Sequence, residues 1–223
     1  MHNGLKVLVG SFYGEETKVL FSKTKGVHEP QEERIFGSVL KLIKPGSVMV
    51  ELGAYWGFYS MWFCKEVARA RPFLIEPIAS HLEFGRKNFS LNGFRGDFTQ
   101  AYVGRASSLS QDGSQVICVD DFAREKGIEQ IAILHSDIQG FESDMLRGAE
   151  KMIREGRIDY YFISTHSENL HADCEAYLRQ RGMKVLASIN LAESFSMDGI
   201  LVCANPAAVQ PEPIELSRRS LLS

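Results

Sequence analysis

The run Val48-Met49-Val50-Glu51-Leu52-Gly53-Ala54-Tyr55-Trp56-Gly57 restricts this chain more than any other stretch, because an apolar strand breaks into an acid and two glycines just before a helical pattern. A pocket for a nucleotide-like ligand opens this way. Glycines there permit strained backbone angles and let a ligand approach the main chain without meeting a β-carbon. Pyrophosphate loops offer bare amides at a helix N-terminus, and a carboxylate at Glu51 repels phosphate. The spacing also departs from G-x-G-x-x-G, since position 55 is Tyr.

A second strand-like run, Phe73-Leu74-Ile75, ends in Glu76-Pro77 at about the distance at which a dinucleotide fold places its ribose-binding acid. Glu51 and Glu76 together predict a ligand with a ribose and a cationic amino or sulfonium group. S-adenosylmethionine (SAM) fits that description, and NAD does not. Gly53, Ala54, Tyr55 and Gly57 are expected beside its methionine part, with Trp56 in reach, and Glu76 and Pro77 at the ribose.

Strand-like and helical runs then alternate: helical over 58–70, 80–88, 143–153 and 169–181, extended over 73–76, 98–103, 131–137, 159–165, 184–189 and 199–204. That rhythm predicts βαβ units and a parallel sheet. The last two strands have no helix between them, so an antiparallel closing strand is expected. Before the first strand, Ile35, Val39, Leu40 and Ile43 share one helical face that Lys44-Pro45-Gly46 stops. Residues 1–30 alternate loosely and predict a hairpin or cap, residues 31–206 the main domain. Residues 207–223 read as a tail, mobile or packed on a partner chain such as a second copy.

Three blocks carry a family resemblance: E-L-G-A-x-x-G-F-Y-S from Glu51, F-L-I-E-P from Phe73 with K-N-F-S-L-N-G from Lys87, and Ile133–Glu142 followed by Met145-Leu146-Arg147-Gly148-Ala149. With the acidic segment Val119-Asp120-Asp121-Phe122, they resemble the FkbM-type SAM-dependent methyltransferases over most of the chain. The resemblance implies a Rossmann-like class I methyltransferase fold, an α/β architecture with a mostly parallel seven-stranded sheet, helices on both faces and an antiparallel last strand. It also implies O-methylation of a hydroxyl on a small natural product, sugar or glycan. His135 and Gln139 stand where that family has Lys and Glu, which keeps open a SAM-binding protein without catalysis. A nucleotide-dependent oxidoreductase is the alternative from another class, disfavoured by Tyr55.

Methyl transfer requires an aligned acceptor and the removal of its proton. His166, just past the fifth strand, is a candidate base, against the plainer role of capping the next helix. Asp137 is the other strand-end group, able to join His166, and Asp198 as a third ligand, around a divalent ion such as magnesium. His135 lies two residues before Asp137 on one strand and so faces the same side, and is either a polar partner near the methyl group or a hydrogen-bonded core residue. His81 and His171 are expected at the surface, and His28-Glu29 as a lid.

Composition bounds the rest. The 223 residues, 44% hydrophobic, suit one core. A formal net charge of −3 gives no footprint for nucleic acid or an anionic membrane, so a small-molecule acceptor is expected. Cys64, Cys118, Cys174 and Cys203 form no C-x-x-C pair and read as reduced thiols. With no signal-like or membrane-length apolar stretch, the cytoplasm is the expected location.

Overall fold

The computed structural model describes residues 1–12 and 14–219. In chain order the elements are α1 Gly14–Thr24, α2 Pro30–Leu40, β1 Val48–Leu52, α3 Phe58–Glu66, β2 Arg71–Ile75, α4 Ala79–Leu91, β3 Asp97–Thr99, β4 Tyr102–Val103, β5 Ser108–Leu109 and β6 Gln115–Ile117. There follow α5 Val119–Glu125, β7 Ile131–Ser136, α6 Glu142–Gly148, α7 Glu150–Arg154, β8 Ile158–Thr165, α8 Glu168–Gln180, β9 Lys184–Ile189 and β10 Gly199–Ala204.

Seven strands form one sheet in the order β3-β2-β1-β7-β8-β10-β9. All neighbours pair in parallel except β10, which runs antiparallel to both β8 and β9. The direction of the sheet's order reverses between β1 and β7, and ligands of such sheets bind outside the strand C-termini at that point. Period-two alternation builds a core on each face: Val48, Val50 and Leu52 with Leu134, Tyr161 and Ile163 on one, Met49 with Ile133, Tyr160 and Phe162 on the other. A second sheet, β4-β6-β5, was not legible as strands in the sequence. The extended run expected over 98–103 divides between the two sheets.

Three local arrangements place the site. Pro30 opens α2, Glu33 reaches back to accept from the amides of His28 (2.9 Å) and Glu29 (3.1 Å), and Ile35, Phe36, Val39 and Leu40 bury the inner face. At the start of α3, Gly57 has φ +75° and a β-carbon there would press on Phe89 and Leu74. Asn88 on α4 and Asn92 at its C-cap, one turn apart, accept from the amides of Leu8 and Lys6 and fix the N-terminal stretch.

Two expectations about the ends are corrected. Of the two alternatives for the first thirty residues the hairpin does not form: α1 takes Gly14–Thr24, and Phe12 and Phe21 pack on Trp56 with ring centroids 6.4 and 5.8 Å away. The tail, as far as Arg219, lies across its own domain. Gln31 Nε2 donates to Ser217 O at 2.8 Å, the Arg219 amide donates to Glu193 O at 2.8 Å, and Arg218 pairs with Glu193. Residues 220–223 lie outside the described residues.

Candidate active site

The loops after β1, β2 and β7, together with the small sheet, enclose a cavity of about 560 Å³. Gly53, Tyr55, Glu76, Pro77 and Asp137, each singled out in the sequence, line it. Glu76 is almost fully buried, with Oε2 accepting from the Tyr55 amide (3.1 Å) and Oε1 from the Ile78 amide (2.9 Å). Two amides thus fix the carboxylate while it still faces the cavity. Gly53 has φ +73°, and a β-carbon on it would overlap the carbonyl oxygen of Asp137. Only glycine lets the β1 loop and the β7 loop touch there.

Four residues expected at the ligand lie elsewhere. Glu51 shares the face of Met49, beneath α3, where Oε2 accepts from the Ser60 amide at 3.0 Å. Its role is to satisfy a first-turn amide that would otherwise be orphaned at a buried helix start. Burial pushes its carboxyl pKa up, against the pull of His135. Ala54 is buried, its amide spent with that of Gly53 on Ile75 O, and Gly57 packs on α4. Trp56 is buried and stacks on Phe58, 5.3 Å between centroids.

For His135 the core alternative holds, and a place beside the methyl group is corrected. It is 3% exposed, with Nε2 2.9 Å from Glu32 Oε1 and its ring 4.2 Å from Tyr59. β7 ends at Ser136, so strand alternation does not carry His135 and Asp137 to a common site. Burial opposes its charge, but Glu32 outweighs that and raises its pKa. His28 and Glu29 are no lid. Glu29 accepts from Tyr59 Oη at 2.7 Å, and His28 lies 3.2 Å from Glu29 and 2.8 Å from Glu33.

His81 and His171 are not surface residues either. His81 lines the cavity beside Tyr55 (centroids 4.1 Å apart) and lies 3.5 Å from Glu76. His171 is buried between the hydroxyls of Thr165 (2.8 Å) and Ser188 (2.9 Å). The apolar wall of Ile78, Tyr102, Val103 and Val116, all but Ile78 from the small sheet, was missed. So were Phe141 and Asp144.

At the mouth, three strand-end groups converge. His166 Nε2 is 3.2 Å from Asp137 Oδ1 and 3.4 Å from Asp198 Oδ1, and its Nδ1 is 2.9 Å from Glu142 Oε1. The helix-capping role falls to Ser167, whose hydroxyl accepts from the Leu170 amide. Burial depresses the His166 pKa, but the hydrogen bonds to Asp137 and Glu142 outweigh it and carry the pKa up to about 10. Burial, then the Asp137 charge, pushes the Asp198 carboxyl up to about 6. Gln139, at φ +56°, donates from Nε2 to Asp137 Oδ1 at 2.9 Å. An acid there would repel Asp137, so the amide suits this mouth.

A family model described as the methyltransferase FkbM domain matches residues 74–185, half of the chain. The chain belongs to the FkbM methyltransferase family. Among solved structures it is similar to a methyltransferase FkbM from Methylobacillus flagellatus, with 20% identity and a TM-score of 0.57 over 73% of this chain and 44% of that one. It thus spans less than half of that relative. An M. capricolum TrmK bound to S-adenosylhomocysteine matches at 12% identity and TM-score 0.53, over 78% of this chain and 68% of that one. A Bacillus cereus O-methyltransferase, also with S-adenosylhomocysteine, matches at 12% and 0.52, over 85% and 89%. No curated protein matches. These likenesses describe the fold of this FkbM-family chain, a class I methyltransferase sheet. Membership sets the oxidoreductase alternative aside. No helix among the described residues is long and apolar enough to cross a membrane.

Proposed function

We propose that this protein transfers the methyl group of SAM to a hydroxyl oxygen of a small natural product, sugar or glycan. One observation carries the cofactor: Glu76, Asp137 and Asp144 line the cavity, and among the described residues no lysine or arginine does. Carboxylates accept from ribose hydroxyls and attract a sulfonium and an ammonium, whereas a dinucleotide's phosphates are repelled. The wall of Ile78, Tyr102, Val103 and Val116 suits a flat purine.

Bound SAM supplies an electrophilic methyl carbon. Glu76 holds the ribose, the Gly53–Tyr55 loop shapes the wall, and Asp137 and Asp198 orient the acceptor hydroxyl. His166 Nε2 takes its proton. Because the His166 pKa lies at about 10, most imidazoles are protonated at neutral pH, and kcat/KM rises with pH until about 10. The acceptor is small, with neither nucleic acid nor membrane as partner, and the setting is the cytoplasm.

A second reading of the mouth rests on one observation: donor atoms of Asp137, His166 and Asp198 all lie within 4.8 Å of one another. These three residues would hold a divalent ion, which would lower the acceptor's pKa.

Isotopically labelled-methyl SAM, offered with a panel of monosaccharides, oligosaccharides and phenols, tests the reading. A labelled methyl ether is expected, and His166→Ala should cut turnover about 10²–10⁴-fold with SAM affinity kept. Label on nitrogen or carbon, or none at all, refutes O-methylation. Loss of turnover on adding EDTA selects the metal reading, and wild-type turnover in EDTA removes it.

A further inference from the structure

Glu142 is a fully buried carboxylate that the scheme above does not use. It is the first residue of α6, and its Oε1 accepts from the Gly140 amide (3.1 Å) while lying 2.9 Å from His166 Nδ1. Its Oε2 has no hydrogen-bond partner among the described residues. Burying a carboxylate with an oxygen left unpaired costs stability, and an apolar side chain in its place is often the more stable choice. Helix formation does not need the charge here, because α6 rests on Met145 and Leu146 in the core.

An ionised carboxylate only accepts, so the short contact makes His166 Nδ1 the donor. Which ring nitrogen carries the hydrogen of a neutral histidine is set by the bond the other makes. With Nδ1–H given to Glu142, the lone pair of the neutral ring sits on Nε2, and Nε2 is the nitrogen facing Asp137 and Asp198.

We propose that Glu142 is a positioning residue: it clamps His166 through Nδ1 and so makes Nε2 the nitrogen that receives the acceptor's proton. In the step it serves, the acceptor O–H bond breaks, its proton passes to Nε2, and the electron pair stays on oxygen to form the new C–O bond. The imidazolium that results is held between Glu142 and Asp137. The inference rests on His166 being the base.

The test compares wild type, Glu142→Gln, Glu142→Asp, His166→Ala and the Glu142→Gln/His166→Ala double variant, all SAM-loaded. Glutamine keeps the shape but removes the carboxylate that faces a mostly protonated His166, so the melting temperature is expected to fall, and the retained SAM affinity reports that the fold survives. In the proton NMR spectrum a downfield imidazole N–H, absent from His166→Ala, is expected in wild type and lost in Glu142→Gln. Turnover on an acceptor from the panel should fall about a hundredfold or more in Glu142→Gln, with SAM affinity kept and partial recovery in Glu142→Asp. The double variant should be no slower than His166→Ala, because residues acting as one unit are not additive.

Persistence of the downfield proton in Glu142→Gln, or equal losses with and without His166, overturns the role of Glu142 alone. Wild-type turnover in His166→Ala overturns the base itself and, with it, the inference.

Discussion

Replacing Gly53 with alanine tests how tightly the cofactor loop is joined to the strand that carries Asp137. The added β-carbon would overlap Asp137 O and lie 2.8 Å from Asp137 C, where ordinary contact begins at 3.4 Å. The carbonyl therefore has to retreat by on the order of 1 Å. That movement pulls on the Asp137 amide, which donates to Leu52 O at 2.9 Å, and on the 3.2 Å contact with His166. Alanine also has to hold φ near +73°, a left-handed angle that costs about 1–2 kcal/mol. A weakened hydrogen bond adds about 1 kcal/mol. The expected destabilisation is about 2–4 kcal/mol, which in a chain of this size lowers Tm by roughly 4–16 °C. Misplacing a reacting group by about 1 Å is worth about a hundredfold in rate, so turnover should fall by that order even below Tm. Calorimetry and turnover on the same preparation measure both. A Gly53→Ala protein with wild-type Tm and rate would show that the two loops are not in contact.

Glu76→Ala removes the carboxylate expected at the ribose, and loss of charge-assisted hydrogen bonds costs about 1.5–3 kcal/mol, so SAM should bind at least about tenfold more weakly by titration calorimetry. Unchanged affinity in a folded protein would remove the ribose assignment. The His28 pair with Glu29 and Glu33 ties stability to pH: burial lowers the His28 pKa, but the two carboxylates outweigh it and raise it from 6.5 to about 10. Its contribution is fully present below pH 6.5 and drains away between 6.5 and 10. Glu29, at about 2 despite burial because His28 pulls it down, contributes above pH 4.5 and loses that as pH falls towards 2. Melting scans should therefore show a plateau between pH 4.5 and 6.5 and a decline on the alkaline side that His28→Gln makes shallower. An equally steep decline in that variant would discard the pair as its cause.

The sheet was readable because its central strands are apolar on both faces and its helices start and stop at strong signals. The ranges of β9 and β10 agree with the sequence pattern to the residue. Glu76 was readable for the same reason, an acid closing an apolar run. Glu51 closes one too, yet its position in the alternation turns it under α3, and no local pattern tells a capping acid from a ligand-binding one. The strands β4, β5 and β6 are two or three residues long in a polar segment without periodicity, so Tyr102, Val103 and Val116 of the cavity's apolar wall went unseen. Glu142 looked like any acid in a helix's first turn. Only its burial and its distance to His166 separate it from those.

Asp198 rides on the stretch between β9 and β10, and that stretch is bound from outside the sheet. Gln31 accepts from the Phe195 amide at 2.9 Å and donates to Glu193 O at 3.2 Å, while Arg219 donates to the carbonyls of Ala192 (3.3 Å) and Leu191 (3.2 Å). Phe195 and Met197, 50% and 91% exposed, project from it. The cofactor wall is anchored elsewhere, on β1, β2 and the small sheet. Under the proposed function, substitutions in residues 190–198 alter the acceptor side and leave the SAM wall intact, provided that Gln31 and residues 217–219 change in step. A graft between relatives that moves the loop without its fastenings should yield a protein that binds cofactor and has lost its acceptor.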